Sequence, residues 1–116
     1  MQARGKEEVA MGANGKQYTA GTWVVKEGSE AEFIARWKEF TGWSLANAPG
    51  AHHFVLIREE ADPRRFLSFG AWDDRAAVDA WRGTAEFQRR LAACRELCDD
   101  FKGTDHTLAA AVGGSD

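Results

Sequence analysis

The chain has little cysteine, little proline, no long apolar run and no basic block. Of its 116 residues two are Cys and two are Pro. Two Cys are too few for the disulfide framework that staples small secreted domains. No apolar stretch approaches the roughly 20 residues that a bilayer-spanning helix needs, so no membrane partner is expected. The opening MQARGKEEVAMGANGK has no apolar centre of the kind a secretory signal carries. A cytoplasmic location is the resulting expectation. Fifteen Lys and Arg against 18 Asp and Glu give a net charge of −3. Affinity for a phosphate backbone needs clustered cations, so nucleic acid is not an expected partner. The glycines at 12, 15, 21 and 28 do not fit G-x-G-x-x-G, and a nicotinamide or flavin cradle has no motif to support it. The three His show no metal-ligand pattern with the two Cys. The expectation is no metal and no cofactor.

What is present is ordinary globular usage with a surplus of large rings. Hydrophobic residues make up 44% and charged residues 28%, which excludes a disordered polymer. A chain of this length builds one core. Five Trp and seven Phe are enough to fill that core and line a pocket as well.

The local pattern divides the chain. Residues 1–16 are polar, Gly-rich and without period, and read as a disordered tail; residues 17–113 form the domain. Residues 18–26 are rich in β-branched and aromatic side chains and predict a strand. Ser29-x-x-Glu32 predicts a capping box, and the helix behind it carries Phe33, Trp37 and Phe40 on one face. Ala48-Pro49-Gly50 ends that helix. Residues 51–59 and 65–72 predict two strands of an antiparallel hairpin. Asp73 or Asp74 caps a short helix through Trp81. Thr84 caps a longer one, whose stripe of Phe87, Leu91, Cys94, Cys98 and Phe101 extends it to about Phe101. Residues 105–112 predict a last strand.

The order β-α-β-β-α-α-β is the split βαβ pattern of an α+β, ferredoxin-like subunit. It places helices on one face of a four-stranded antiparallel sheet. Strand 65–72 is apolar on both sides, with Phe66, Ser68, Gly70 and Trp72 on one and Leu67, Phe69 and Ala71 on the other. Strand 51–59 repeats the pattern with Phe54 and Leu56 against Val55 and Ile57. Both faces want cover. A second subunit is the simplest cover for the face without helices.

The stretches GTWVVKEGSEAEFIARWKEF, NAPGAHHFVLIRE and RFLSFGAWDDRAAVDAWRGTAEFQ resemble the antibiotic biosynthesis monooxygenase family. The resemblance covers roughly residues 18–113. It implies a homodimer joined through its sheets into an α+β barrel, with a pocket between helices and sheet in each subunit. It implies a small aromatic molecule as ligand. Family members include cofactor-free oxygenases that turn anthrone-like phenols into quinones, and haem-degrading monooxygenases. Among the former, the implicated Trp matches Trp72, while the Asn position is Ser68 and the Tyr position Val78. Among the latter, the Trp matches Trp81, the Asn position is Gly21 and the axial His position is Leu91. Loss of that His removes the iron ligand.

The candidate catalytic residues are therefore Trp72, Ser68 and His52, with Trp81, Gly21, Trp23, Phe87 and Leu91 as candidate substrate-binding residues. Trp72 and Trp81 either pack as core or wall a flat ligand. Gly21 shares a strand side with Trp23, where a missing side chain opens room. His52 and His53 are adjacent on a strand and point to opposite faces. One of them could serve as the base that ionises a phenol, or both could be exposed. Cys94 and Cys98 read as small buried hydrophobes on one helix face. The first functional expectation is a cofactor-free monooxygenase acting on a polyketide-like or quinol substrate with O₂. The alternatives are a non-catalytic small-ligand-binding dimer and a haem-binding or haem-degrading protein.

Overall fold

A computed structural model describes residues 16–113; the expected tail lies outside the described residues except for Lys16. The elements are β1 (Gln17–Val25), α1 (Glu30–Asn47), β2 (Ala51–Arg58), β3 (Arg65–Trp72), α2 (Arg75–Arg82), α3 (Ala85–Arg95) and β4 (Cys98–Thr107). The sheet is antiparallel in the order β2-β3-β1-β4. This is an α+β ferredoxin-like arrangement, with the two strands that flank α1 in sequence separated by β3. No helix among the described residues is long and apolar enough to cross a membrane.

α1 turns Phe33, Trp37, Phe40, Thr41 and Ser44 inward, a spacing of three and four that keeps one stripe against the sheet. The expected capping box does not form. Ser29 makes no side-chain cap bond, and Gly28 N–H donates instead to Glu30 Oε1 at 2.9 Å. Glu32, the other half of the expected box, is drawn to Arg36 one turn on. The caps of the later helices do form: Asp74 Oδ1 accepts from Ala77 N–H at 2.9 Å, and Thr84 Oγ1 from Phe87 N–H at 3.1 Å. Gly50 has φ +92°, a value that side chains rarely adopt, and it sets the turn from α1 into β2.

The largest departure from the sequence reading is at the C-terminal end. α3 stops at Arg95 and β4 begins at Cys98, so Cys98 and Phe101 lie on a strand and not on a helix. The cause is a β-bulge. Val25 pairs with Cys98 while Val24 pairs with Asp100, which leaves Asp99 as an extra residue. The bulge lets residues three apart both face the core, which imitates helical period. Pairing with the whole length of β1 then outweighs the local pattern, and Lys102-Gly103 sits mid-strand opposite Thr22 and Gly21. The strand ends at Thr107, short of the expected 112.

The core lies between the helices and one sheet face. Trp23, Val25, Phe66 and Trp72 from the strands meet Phe33, Trp37, Phe40, Val78, Trp81, Phe87 and Cys94 from the helices. On the opposite face Val55, Ile57 and Phe69 are exposed.

Candidate functional site

β1 and β3 are the central pair of the sheet, and their helix-side residues form the floor of a cavity. Thr19 pairs with Gly70, and Gly21 with Ser68. Two hydroxyl residues and two glycines thus alternate in a two-by-two block. The cavity above them measures about 360 Å³. Trp23, Trp37, Phe40, Thr41, Phe54, Trp81, Phe87, Leu91 and Phe101 line it. Arg82 and Asp105 also line it, and among the described residues are its only titratable side chains.

The glycines matter through what approaches them. A Cβ at Gly70 would come within 2.7 Å of the Phe54 ring and 2.8 Å of Thr19 Oγ1. A Cβ at Gly21 would lie 3.0 Å from Ser68 Oγ and from Trp23 Nε1. The space beside Gly70 is therefore taken by Phe54 and Thr19. The missing side chains allow those groups to reach the floor.

Three indoles are each tied to a hydroxyl. Trp23 Nε1–H donates to Ser68 Oγ at 3.0 Å, Trp72 Nε1–H to Thr19 Oγ1 at 3.2 Å, and Trp81 Nε1–H to Ser44 Oγ at 2.9 Å. The ring pairs of the described residues fall into two clusters, one around Trp81 and one around Trp23. Trp81 stacks on Phe40 at 5.7 Å between centroids and meets Trp72 at 4.5 Å, and Trp23 lies 4.2 Å from Phe101.

Most of the residues singled out in the sequence converge here. Ser68, Trp81, Gly21, Trp23, Phe87 and Leu91 line the cavity. Trp72 does not: it is wholly buried, with Phe54 and Trp81 packed on it and its indole bonded to Thr19. It backs the site and does not wall it. His52 is outside as well. Ala51 pairs with Trp72 and His53 with Ala71, so His52 is the extra residue of a second bulge. Its Nε2 lies 2.6 Å from Asp73 Oδ1 at the surface.

Thr19, Phe54, Phe101, Arg82 and Asp105 also line the cavity and were not among the candidate site residues of the sequence. Thr19 had a signal, since period-two alternation puts it on the side of Gly21 and Trp23. Arg82 and Asp105 had none; the fold brings the end of α2 against β4 in the cavity lining. Arg82 makes a bidentate pair with Asp105 at 2.6 and 3.0 Å. The Arg82 guanidinium holds the Asp105 carboxyl below its ordinary range, and Arg75 adds to the effect.

With that geometry in place, comparison with known proteins assigns the class. The chain belongs to the antibiotic biosynthesis monooxygenase family, whose description matches residues 18–93. Two solved structures of SnoaB, a cofactor-independent oxygenase from Streptomyces nogalater, share the fold. One has a TM-score of 0.78 at 19% identity, over 85% of this chain and 98% of that one. The other has a TM-score of 0.75 at 20% identity, over 86% and 99%. A conserved protein from Methanosarcina mazei Go1 aligns with a TM-score of 0.72 at 16% identity, over 82% and 94%. No curated protein sequence matches the chain.

Proposed function

We propose that this protein is a cofactor-free monooxygenase for a flat phenolic or quinol substrate, working as a homodimer. The observation that carries the reading is the ring-walled cavity of about 360 Å³ over a hydroxyl-bearing floor. That volume lies within the roughly 300–1,000 Å³ of small-molecule sites, and the lining has their mix of aromatic wall and few polar groups. Membership of the monooxygenase family points the same way.

In this reaction the substrate supplies the electrons. For anthrone, one atom of O₂ becomes the new quinone carbonyl, and the other leaves as water with the two hydrogens of the methylene carbon. The electron-rich form is the enolate or phenolate, so the protein's task is to favour loss of a proton, hold the ring plane and keep water out. His52 has no part in this, being outside the cavity. Among the described residues Asp105 is the sole carboxylate in the lining, and its ion pair with Arg82 makes it a weak proton acceptor. The site therefore acts on the acidity of the substrate more than through a strong base.

The burial of Trp72 favours a second reading, a dimer that binds an aromatic ligand without turning it over. A haem site is not supported, because among the described residues the lining holds no His, Cys, Met or Tyr to ligate iron, and Leu91 stands at the position of the axial His. The deciding experiment is oxygen uptake with anthrone and with hydroquinones, each measured with and without the protein. Uptake at several times the uncatalysed rate, with quinone as product, supports the oxygenase. Tight binding with no uptake would falsify it and leave the ligand-binding dimer.

A further inference from the structure

The three indole–hydroxyl pairs are not equivalent. Ser44 accepts from Trp81 and passes its own proton to the Phe40 carbonyl at 2.8 Å. That pair is closed, and Ser44 does not line the cavity. Thr41 does line it, but its proton goes to the Trp37 carbonyl at 2.8 Å. Thr19 and Ser68 differ. Each accepts an indole N–H, each is more than nine-tenths buried, and each lines the cavity. Among the described residues neither has an acceptor for its own proton. A buried hydroxyl donor without a partner is costly, and the open volume beside these two is the cavity itself.

We propose that Thr19 and Ser68 are a matched pair of hydrogen-bond donors that hold oxygen on the buried edge of the aromatic ligand and favour its ionised form. Three features support it. A hydroxyl has one proton and two lone pairs, and the indole N–H occupies an acceptor side, which leaves the proton for a ligand. Accepting that bond also polarises the O–H and makes it a better donor. The two residues are diagonal neighbours across β1 and β3, about 7–8 Å apart at Cα, with a glycine beside each; the Phe54 ring reaches over Gly70 and the Trp23 and Phe101 rings over Gly21, so the pair is framed by aromatic edges. Trp23 and Trp72 are then positioning residues. This also gives burial of Trp72 a purpose, since its indole must sit behind Thr19 to orient it.

Donors to the charged form lower the pKa of a bound phenol. Under the oxygenase reading this replaces the missing strong base, and that part of the inference rests on the reading. The binding part does not. The probe is 2-naphthol, with naphthalene as the ring without oxygen. The unaltered protein is expected to bind 2-naphthol about tenfold more tightly than naphthalene. It should also lower the pH at which bound naphthol ionises, followed by absorbance, by about one unit. Thr19→Val and Ser68→Ala should each shrink both differences, and the double variant should abolish them. Because Thr19→Val strands the Trp72 indole and lowers Tm, Thr19→Ser serves as the folded control and should keep both. Equal affinity for the two rings, an unmoved ionisation, or variants that match the parent would each overturn the proposal. So would failure of naphthol to bind. A shifted ionisation without oxygen uptake sinks the oxygenase and leaves this site standing. Oxygen uptake that survives Thr19→Val and Ser68→Ala does the reverse.

Discussion

The two faces of the sheet carry similar apolar side chains in opposite situations. On the helix side Trp23, Phe66 and Trp72 are buried, and the two indole N–H groups are matched one to one with hydroxyls. On the other side Val55, Ile57 and Phe69 are exposed. There the side-chain hydrogen bond between Thr104 and His106, residues that pair with Ala20 and Tyr18, lies at the margin on β4. Apolar content therefore does not tell a packed face from an open one; the placement of polar atoms does. The helix side is specified by directional bonds that fix which ring goes where. The open side offers an apolar surface with little internal specification, which suits it to a second copy of the chain.

The comparison breaks most visibly under truncation. Phe33 is fully buried against Trp23 and Phe66, at 5.1 Å between centroids in each case. Phe33→Ala should cost about 3–5 kcal/mol of unfolding free energy, mostly as an unfilled cavity. Val55→Ala, on the open side, should cost under about 1 kcal/mol at concentrations where the chain is monomeric. Denaturant titration at submicromolar protein measures both. Similar losses would mean that the two faces are packed alike.

A charge sharpens the contrast without emptying a core. Val55→Lys with Ile57→Lys should leave the circular dichroism of the chain unchanged and shift its mass by light scattering from dimer to monomer at micromolar concentration. An unsatisfied lysine in an apolar interface is strongly unfavourable, whereas the same lysine on a free surface is tolerated. A parent that is already a monomer removes the homodimer from the proposed function.

Period and punctuation made much of the architecture legible. The strands β1 to β3, the caps at Asp74 and Thr84 and the common face of Ser68 and Trp72 all follow from spacing. What was lost is what a bulge or a long-range contact decides. One extra residue at Asp99 made a strand look helical, and another at His52 turned a candidate base out to Asp73. Alternation put Trp72 on the correct face but could not give its depth, because Phe54 and Trp81, which cover it, come from two other elements. The partnership of Arg82 with Asp105 depends on sheet order, to which no local pattern refers.

That partnership is a smaller lever on the same comparison, since it ties α2 to β4 on the helix side. The folded Asp105 carboxyl ionises below its ordinary value because Arg82 stabilises the charged form. Stability from the pair is thus fully present above the unfolded carboxyl value of about 3.9 and is lost as pH falls through the lower folded value. Arg82→Gln should cost about 0.2–1 kcal/mol at pH 7. The difference from the parent should shrink steadily below pH 4, as followed by Tm. A difference that is constant from pH 7 to pH 3 would show that Arg82 acts through packing and not through its charge.

The smallest expected effect concerns the two thiols, which report how tightly the helix side is closed. Cys94 is buried in the core and Cys98 half-buried beside it, its Sγ donating to the Cys94 carbonyl at 3.5 Å. Burial pushes the Cys94 thiol up to about 12 and the Cys98 thiol up to about 11. Only the thiolate reacts, and a free thiol with a value near 8.5 is about a quarter ionised at pH 8. Cys98 should then be alkylated by iodoacetamide at least about a hundredfold more slowly than free cysteine at that pH, and Cys94 more slowly still. The Cys94 adduct should not form without local opening. Cys98 lies on β4 at the bulge and Cys94 on α3, so Cys94 labelled ahead of Cys98 would mean that the helix opens before the strand. Rapid and equal labelling of both in the native protein would contradict a closed core on this side of the sheet, and with it the contrast between the two faces.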